Sequence, residues 1–325
     1  MSTMKKLLEC ISDLADDKLN LLLEFVLQLL PAEEERPCCP HCGNAYVIKY
    51  GRKDRKQRFQ CKKCLKTFML TTNTIVAESH QPLSVWRQFV VDTLHLRPMD
   101  DSAQELGLSH QCAFHMRHKI LLALLDIYQD TPTMLGEVTE LDETYVLESY
   151  KGQALPEDAG RSARKHGAKA GKPGLSNEQI CVCAGVQRSG APFAVAVNRA
   201  KPSIEELKEA FDGHIGKGAM LLCDGLRGYS SLKTLTDCDV IDVNSADLKE
   251  KSFYNLNHVN NFHSFIKERY RAWRGVATKY LNRYMTLLSA VYRTTAASLD
   301  LVLKCSQRCY YHPIREVKTV GLLVI

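Results

Sequence analysis

The spacing of apolar residues changes character along the chain. Outside a cysteine-rich segment at 37–70, apolar positions recur at helical intervals up to about residue 130 and then shift to alternation and short buried runs from Leu135. In residues 4–30, Leu7, Leu8, Ile11 and Leu14 form one stripe, and Leu22, Phe25, Val26, Leu29 and Leu30 a second. Two short amphipathic helices are predicted, closed by Pro31 and the run Glu33-Glu34-Glu35, and they are the expected packing or dimerising unit. Pro82 opens another helix, which runs through Leu96 and is closed by Pro98. Residues 99–111 then have the shape of a helix-turn-helix. Ala103 is small where two helices must approach, Gly107 supplies the turn, and Ser109 is an N-cap. The second helix is expected from about His110 to Leu125, turning His115, Arg117, His118 and Lys119 toward a DNA backbone or groove.

Beyond Leu135 the periodicity predicts a strand at Glu137–Val146 and a hairpin of Ile180–Val186 and Phe193–Val197 around Gly190. A helix over 203–212 follows, carrying Ile204, Leu207 and Phe211. Ala219–Cys223 is a buried strand that ends at Asp224-Gly225, and Val240–Val243 is another. A long helix starts near Val259 with Phe262, Phe265, Ile266 and Tyr270, and a last one spans about 279–294. Strand, hairpin, helix, strand, helix suggests an RNase H-like core: an α/β domain with a mixed sheet flanked by helices.

The cysteines add a metal to this picture. Cys39 and Cys42 form one Cys-x-x-Cys knuckle, and Cys61 and Cys64 another, with 18 residues between them. A tetrahedral Zn²⁺ needs four soft ligands, and each knuckle supplies two, so the segment reads as a zinc ribbon with a structural ion. Lys49, Arg52, Lys53, Arg55, Lys56, Arg58, Lys62, Lys63 and Lys66 crowd it, against the single acid Asp54. Lys53, Arg55, Lys56 and Arg58 at the hairpin tip are the foremost phosphate-contacting candidates. The plain alternative is a zinc staple with a solvated basic face.

Bulk composition changes little. The 325 residues are 45% apolar, enough for two or three globular domains. The net charge of +6 is modest, so its distribution matters more than its sum. Thirteen cysteines, most of them in apolar segments, suit a reducing cytoplasm. Charges interrupt the apolar N-terminus, no run approaches the roughly 20 apolar residues of a membrane span, and neither a secretory signal nor a membrane partner is expected. Residues 151–174 read as a basic loop, in which Arg164 and Lys165 are further DNA-contacting candidates.

Asp142 lies in the middle of the first strand of the α/β region, and Asp224 stands where a buried strand meets a glycine turn. Carboxylates converging at the ends of sheet strands would hold Mg²⁺, a hard cation. On residue type alone, acids in turns are the commoner interpretation. The segments Glu140-Leu141-Asp142-Glu143-Thr144-Tyr145-Val146, Leu222-Cys223-Asp224-Gly225 and Asn257-His258-Val259-Asn260-Asn261-Phe262-His263-Ser264-Phe265-Ile266-Lys267 resemble the bacterial insertion-sequence transposases of the DDE type that carry an N-terminal zinc ribbon and an ISXO2-like domain. The resemblance covers the chain from the ribbon to about residue 295.

The resemblance implies a Mg²⁺- or Mn²⁺-dependent nuclease and strand transferase acting on terminal inverted repeats and target DNA. It implies a homodimer or larger synaptic complex, in a bacterial cytoplasm at the nucleoid. Asp142, Asp224 and Asn260 become the catalytic metal ligands, and Lys267 a phosphate-orienting residue. Asn260 departs from an acidic triad; its amide oxygen ligates without charge. A catalytically inactive, transposase-derived DNA-binding protein is the alternative this departure keeps open. Glu143 points to the other strand face, and His263 is read as a packing or DNA-contacting residue. Trp273 is read either as stacking on DNA or as closing the core. The expected organisation is a helical segment at 1–36, the ribbon at 37–70, the helix-turn-helix at 80–130, the catalytic domain at 135–298 and a tail at 299–325. The tail's Cys305, Cys309 and His312 offer only three ligands and are read as packing.

Overall fold

The computed structural model describes residues 37–53, 56–157, 162, 178–190, 192–244, 253–292 and 312–324. The expected helices of 1–36, Arg55, Arg164, Lys165, Cys305 and Cys309 lie outside the described residues. Two compact units divide between Ala123 and Leu124, with 312–318 belonging to the first and 319–324 to the second.

In the first unit, β1 (Val47–Lys53), β2 (Lys56–Cys61) and β3 (Thr67–Met69) make a three-stranded antiparallel sheet in that order. Its core is small: Cys39, Val47, Phe59, Cys61 and Phe68, with the Phe59 and Phe68 rings stacked at 5.7 Å. So little apolar area does not hold a sheet of this size by itself, and a further staple is required. Three helices follow: α1 (Leu83–Leu94), α2 (Met99–Glu105) and α3 (His110–Asp130). Between α2 and α3, Ala103 is buried, Gly107 takes a left-handed φ of 64°, and the Ser109 hydroxyl accepts the Cys112 N–H at 3.2 Å. The corner forms for the local reasons its sequence supplies.

Three of the four residues expected on the basic face of α3 are buried, and His115 is half-buried. Arg117 and Lys119 are buried: Arg117 donates to the Arg97 carbonyl at 3.0 Å and lies 5.5 Å over the Phe89 ring, and the Lys119 ammonium donates to the Ala77 carbonyl at 2.8 Å. His118 is buried against Phe114. Burial pulls the Lys119 pKa below its ordinary value. Both cations satisfy backbone carbonyls of the helical unit and are withdrawn from any DNA surface.

The second unit is built on a five-stranded sheet. Its strands are β4 (Val138–Leu147), β5 (Gln179–Gln187), β6 (Pro192–Arg199), β7 (Ala219–Cys223) and β8 (Cys238–Asp242), in the spatial order β6-β5-β4-β7-β8. β4, β5 and β6 pair antiparallel, whereas β7 joins β4, and β8 joins β7, in parallel. The parallel pairs need crossovers, which α4 (Ile204–Phe211) and the short α5 (Leu226–Tyr229) provide. This is the RNase H-like arrangement. Leu141, Cys181, Cys183, Leu221 and Cys223 bury one sheet face with Leu207 and Phe211 of α4. α6 (Asn257–Ala272) buries Val259, Phe262 and Ile266, and α7 (Leu281–Val291) buries Met285 and Leu288. Trp273 is buried edge-on to Tyr284 at 5.0 Å, which settles it as a core residue.

Gly185 marks the tightest point of that core. A Cβ there would stand 2.6 Å from a Leu135 methyl and 2.9 Å from a Leu141 methyl. Gly185→Ala is expected to lower unfolding free energy by about 2 kcal/mol through overpacking, measured by urea denaturation; an unchanged midpoint would refute this account of the core.

Candidate active site and metal centre

Two sites of different chemistry emerge. In the ribbon, the thiols of Cys39, Cys42, Cys61 and Cys64 all lie within 4.8 Å of one another, and Cys39–Cys64 and Cys42–Cys61 are each 3.6 Å apart. A tetrahedron with Zn–S bonds of about 2.3 Å has edges of about 3.8 Å, so the four sulfurs fit Zn²⁺. The backbone N–H of Cys64, then that of Lys63, pulls the Cys61 thiol down to about 6, which favours the thiolate a metal needs. The neighbouring Cys38 is exposed and not one of the four.

The ribbon's nine basic residues face one acid, giving +8 over 37–70 in a chain whose total is +6; the remainder sums to −2. Lys53 and Lys56 are exposed and stand directly opposite each other across the hairpin. Like charges so placed are destabilising unless a polyanion meets them.

The second site grows from the sheet register. Leu141 pairs with Cys223 in the parallel β4–β7 ladder, so Asp142 and Asp224, each one residue further, stand level on neighbouring strands. β7 ends there, and Gly225 turns the chain away with φ 85°. The Glu143 N–H donates to Asp142 Oδ1 at 2.9 Å, and Asp224 Oδ1 accepts the Asn244 side-chain amide. Asp242, at the end of β8, holds the turn by accepting from Gly225 N at 3.2 Å and Asn244 N at 2.9 Å. Burial pushes the Asp142 carboxyl up to about 6, helped by the charges of Glu143 and Asp224 and opposed by Lys267. Burial also pushes the adjacent Cys223 thiol up to about 12, with Asp242, Glu143, Asp224 and Asp142 adding to it. Crowded acids, one held off its charged form, are the donor set a hard divalent cation fits.

α6 brings His263 and Lys267 close to Asp142. His263 Nδ1 is 3.7 Å from Asp142 Oδ2. The spacing would suit an ion pair, but burial, with Lys267 adding, pulls the imidazole down to about 4, so it is neutral at pH 7. Its Nε2 is buried without a hydrogen-bond partner. Asn260 and Lys267 are exposed, and they lie at −3 and +4 from His263, along the same side of the helix. Lys267 is close enough for its charge to act on both Asp142 and His263. Glu143 lies on the other sheet face, level with Cys183, where its charge helps raise the Tyr229 pKa after burial.

What fixes α6 in place is not one of the motif acids. Leu256, its N-cap, offers no side-chain acceptor. The carboxylate of Glu140, fully buried on β4 two residues before Asp142, serves instead. It accepts the N–H groups of His258 at 2.7 Å and Val259 at 3.2 Å, and His258 Nδ1 at 2.9 Å. Arg188 completes it at 2.7 Å and also donates to the carbonyls of Phe253 and Asn255, just before the helix. At the other end, the Lys151 ammonium donates to the carbonyls of Trp273 and Gly275 at 3.2 and 3.3 Å. An anion at the N-terminus and a cation at the C-terminus both favour the helix dipole. Glu140, Lys151, Arg188 and Asn244 were not foreseen as site residues. Only the position of Glu140, an acid on an inward-facing strand position, carried a signal.

Comparison with known proteins identifies the same region. Residues 134–295 match the family model of the ISXO2-like transposase domain. A relative from Halobacterium salinarum, described as an uncharacterized protein in transposable element ISH50, is 31% identical over 139 residues, which are 41% of this chain and 45% of that protein. The match thus spans less than half of the relative's length. Among solved structures, a Mos1 mariner paired-end complex with Mn matches at 14% identity over 60% of this chain and 74% of that one, with a TM-score of 0.21. A pre-cleavage Mos1 transpososome matches at 12% over 68% and 78%, with a TM-score of 0.19. These superpositions are too slight to carry an argument.

Two outcomes follow from the geometry. Glu140→Ala leaves Arg188 without its carboxylate and two N–H groups of α6 uncapped; it is expected to cost about 3 kcal/mol and to speed hydrogen exchange at His258 and Val259 first, as read by denaturation and exchange. The second concerns pH. In metal-free protein the carboxyl of Asp142 is raised from 3.8 to about 6, so its contribution to stability is full below about pH 4 and lost as pH climbs through 6. Asp142→Asn removes that loss and gains on the wild type between pH 4 and 7; a variant that gains on acidification would contradict the raised value.

Proposed function

Because the chain belongs, through residues 134–295, to the ISXO2-like transposase family, we propose that it cuts and joins DNA phosphodiesters at the ends of an insertion sequence. The observation that supports this reading is Asp142 on β4 level with Asp224 just past the end of the parallel β7, with His263 and Lys267 of α6 close to Asp142 and Asn260 along the same side of that helix. A divalent cation held by Asp142, Asp224 and the amide oxygen of Asn260 would supply charge neutralisation at the reacting phosphate.

The chain's own residues supply the rest. Asp142 is ionised above about pH 6, so the site is ready for a cation at neutral pH. Asn260 adds an oxygen without a third negative charge, which lowers repulsion between site and phosphate. Lys267 holds a phosphate oxygen from the same side of α6. His263, neutral and buried, adds no cation to compete with the metal. Asn244 fixes the Asp224 carboxylate, and the Glu140 and Lys151 contacts fix the helix that carries the third motif.

In the ribbon, Cys39, Cys42, Cys61 and Cys64 would hold a structural Zn²⁺, and Lys53, Lys56 and Arg58 would bind the backbone of element ends and target. Joining two ends requires two copies, so a homodimer or larger synaptic assembly is part of the proposal. Among the described residues, no helix is long and apolar enough to cross a membrane.

The test is a joining assay on the DNA that flanks the gene, with Mg²⁺ or Mn²⁺. Wild-type protein is expected to nick and join those ends. Asp142→Ala and Asp224→Ala are expected to lose more than about a hundredfold in joining while retaining end binding. Wild-type protein that binds the ends but neither nicks nor joins them would leave a DNA-binding protein without catalysis.

A further inference from the structure

The ribbon carries two large aromatic side chains that its core does not use. Tyr46 is 67% exposed and Tyr50 47%. Strand alternation puts Tyr50 on the face opposite the buried Val47, and Tyr46 stands immediately before the strand. Each has a basic residue as its neighbour across the hairpin. The Arg58 guanidinium sits 5.4 Å over the Tyr50 ring, and the exposed Lys62 donates its backbone N–H to the Tyr46 carbonyl at 3.0 Å. Ile48 and Gln60 pair between them. A β-bulge with Gly51 at φ 70° follows Tyr50 and alters the register at that point.

We propose that this face is a stacking platform for an unpaired DNA strand, with one base on Tyr46, another on Tyr50, and phosphates on Lys62 and Arg58. Gripping a duplex backbone needs cations alone, and the faces of paired bases are already covered by their neighbours. Exposed rings interleaved with cations gain only when a base is free to stack. The spacing agrees. Four residues separate Tyr46 from Tyr50, up to about 13 Å at about 3.3 Å per extended residue, whereas stacked duplex bases rise 3.4 Å. Only an extended strand serves both rings at once. The excess positive charge of the ribbon suits a polyanion; even with four thiolates and Zn²⁺ counted at −2, the segment stays strongly positive. The inference rests on the transposase reading for its DNA, since cutting and joining ends exposes unpaired strand.

The test uses the full chain without added Mg²⁺, so it does not depend on catalysis. Fluorescence anisotropy compares a single-stranded oligonucleotide with the duplex of the same sequence. Tyr46→Ala and Tyr50→Ala are each expected to weaken single-strand binding at least about tenfold, with duplex binding within about threefold of wild type. Tyr46→Phe and Tyr50→Phe, which keep the ring face, are expected to bind as wild type. A single strand carrying 5-iodouracil is expected to crosslink the unmodified protein at Tyr46 or Tyr50, mapped by mass spectrometry. Unchanged single-strand affinity in the alanine variants, an equal loss on duplex, or crosslinks that avoid both rings would each overturn the proposal. Failure to join ends while the alanine variants still lose single-strand affinity would instead overturn the transposase reading and leave this face standing.

Discussion

A buried carboxylate bonded to the start of a helix organises the unit built on the five-stranded sheet. Glu140 has no exposed surface, and Arg188, His258 and two helix N–H groups surround its carboxylate. A charge in that position is costly when any partner is missing. α6 therefore has one favourable angle of entry, and the register of β4 dictates it. Since Asp142 lies two residues along the same strand face, the acid that anchors the helix and the acid beside which the helix must lie are fixed by one piece of backbone.

The carboxylate pair is a matter of register rather than of local conformation. A one-residue slip between β4 and β7 would turn Asp142 to the α4 face and bury it under Leu207 and Phe211. The closely filled space around Gly185 opposes such a slip, because Leu141 and Leu135 occupy the volume a shifted side chain would need. Core packing on one face of the sheet thus holds the acid pair on the other.

How much of this was legible in the sequence depends on the range of the interaction. The helix-turn-helix corner rests on Ala103, Gly107 and Ser109, each acting within a few residues, and its form was readable. The strand of Asp142 and the turn of Asp224 were readable as elements, and the parallel pairing follows once the crossover through α4 is recognised. Arg117 and Lys119 misled because a cation on a helix ordinarily faces water; their partners are carbonyls at positions 97 and 77, beyond any local pattern. Glu140 and Lys151 were obscure for the same reason: their partners at the two ends of α6 lie more than a hundred residues away in sequence. His263 was read as a packing or DNA-contacting residue; that it meets Asp142 depends on the Glu140 contacts that hold α6.

The segregation of charge has a consequence for how the molecule meets a partner. With +8 confined to 37–70 and −2 spread over the remaining residues, the chain is electrically lopsided. In the field of a polyanion the ribbon feels a pull that the rest of the chain, taken as a whole, does not. That pull acts before contact, over distances on the order of the Debye length of about 8 Å at physiological ionic strength. Raising the salt would erode it first. It would barely touch the buried Glu140 cluster, so the ribbon's attraction would fade well before the fold around that carboxylate loosens.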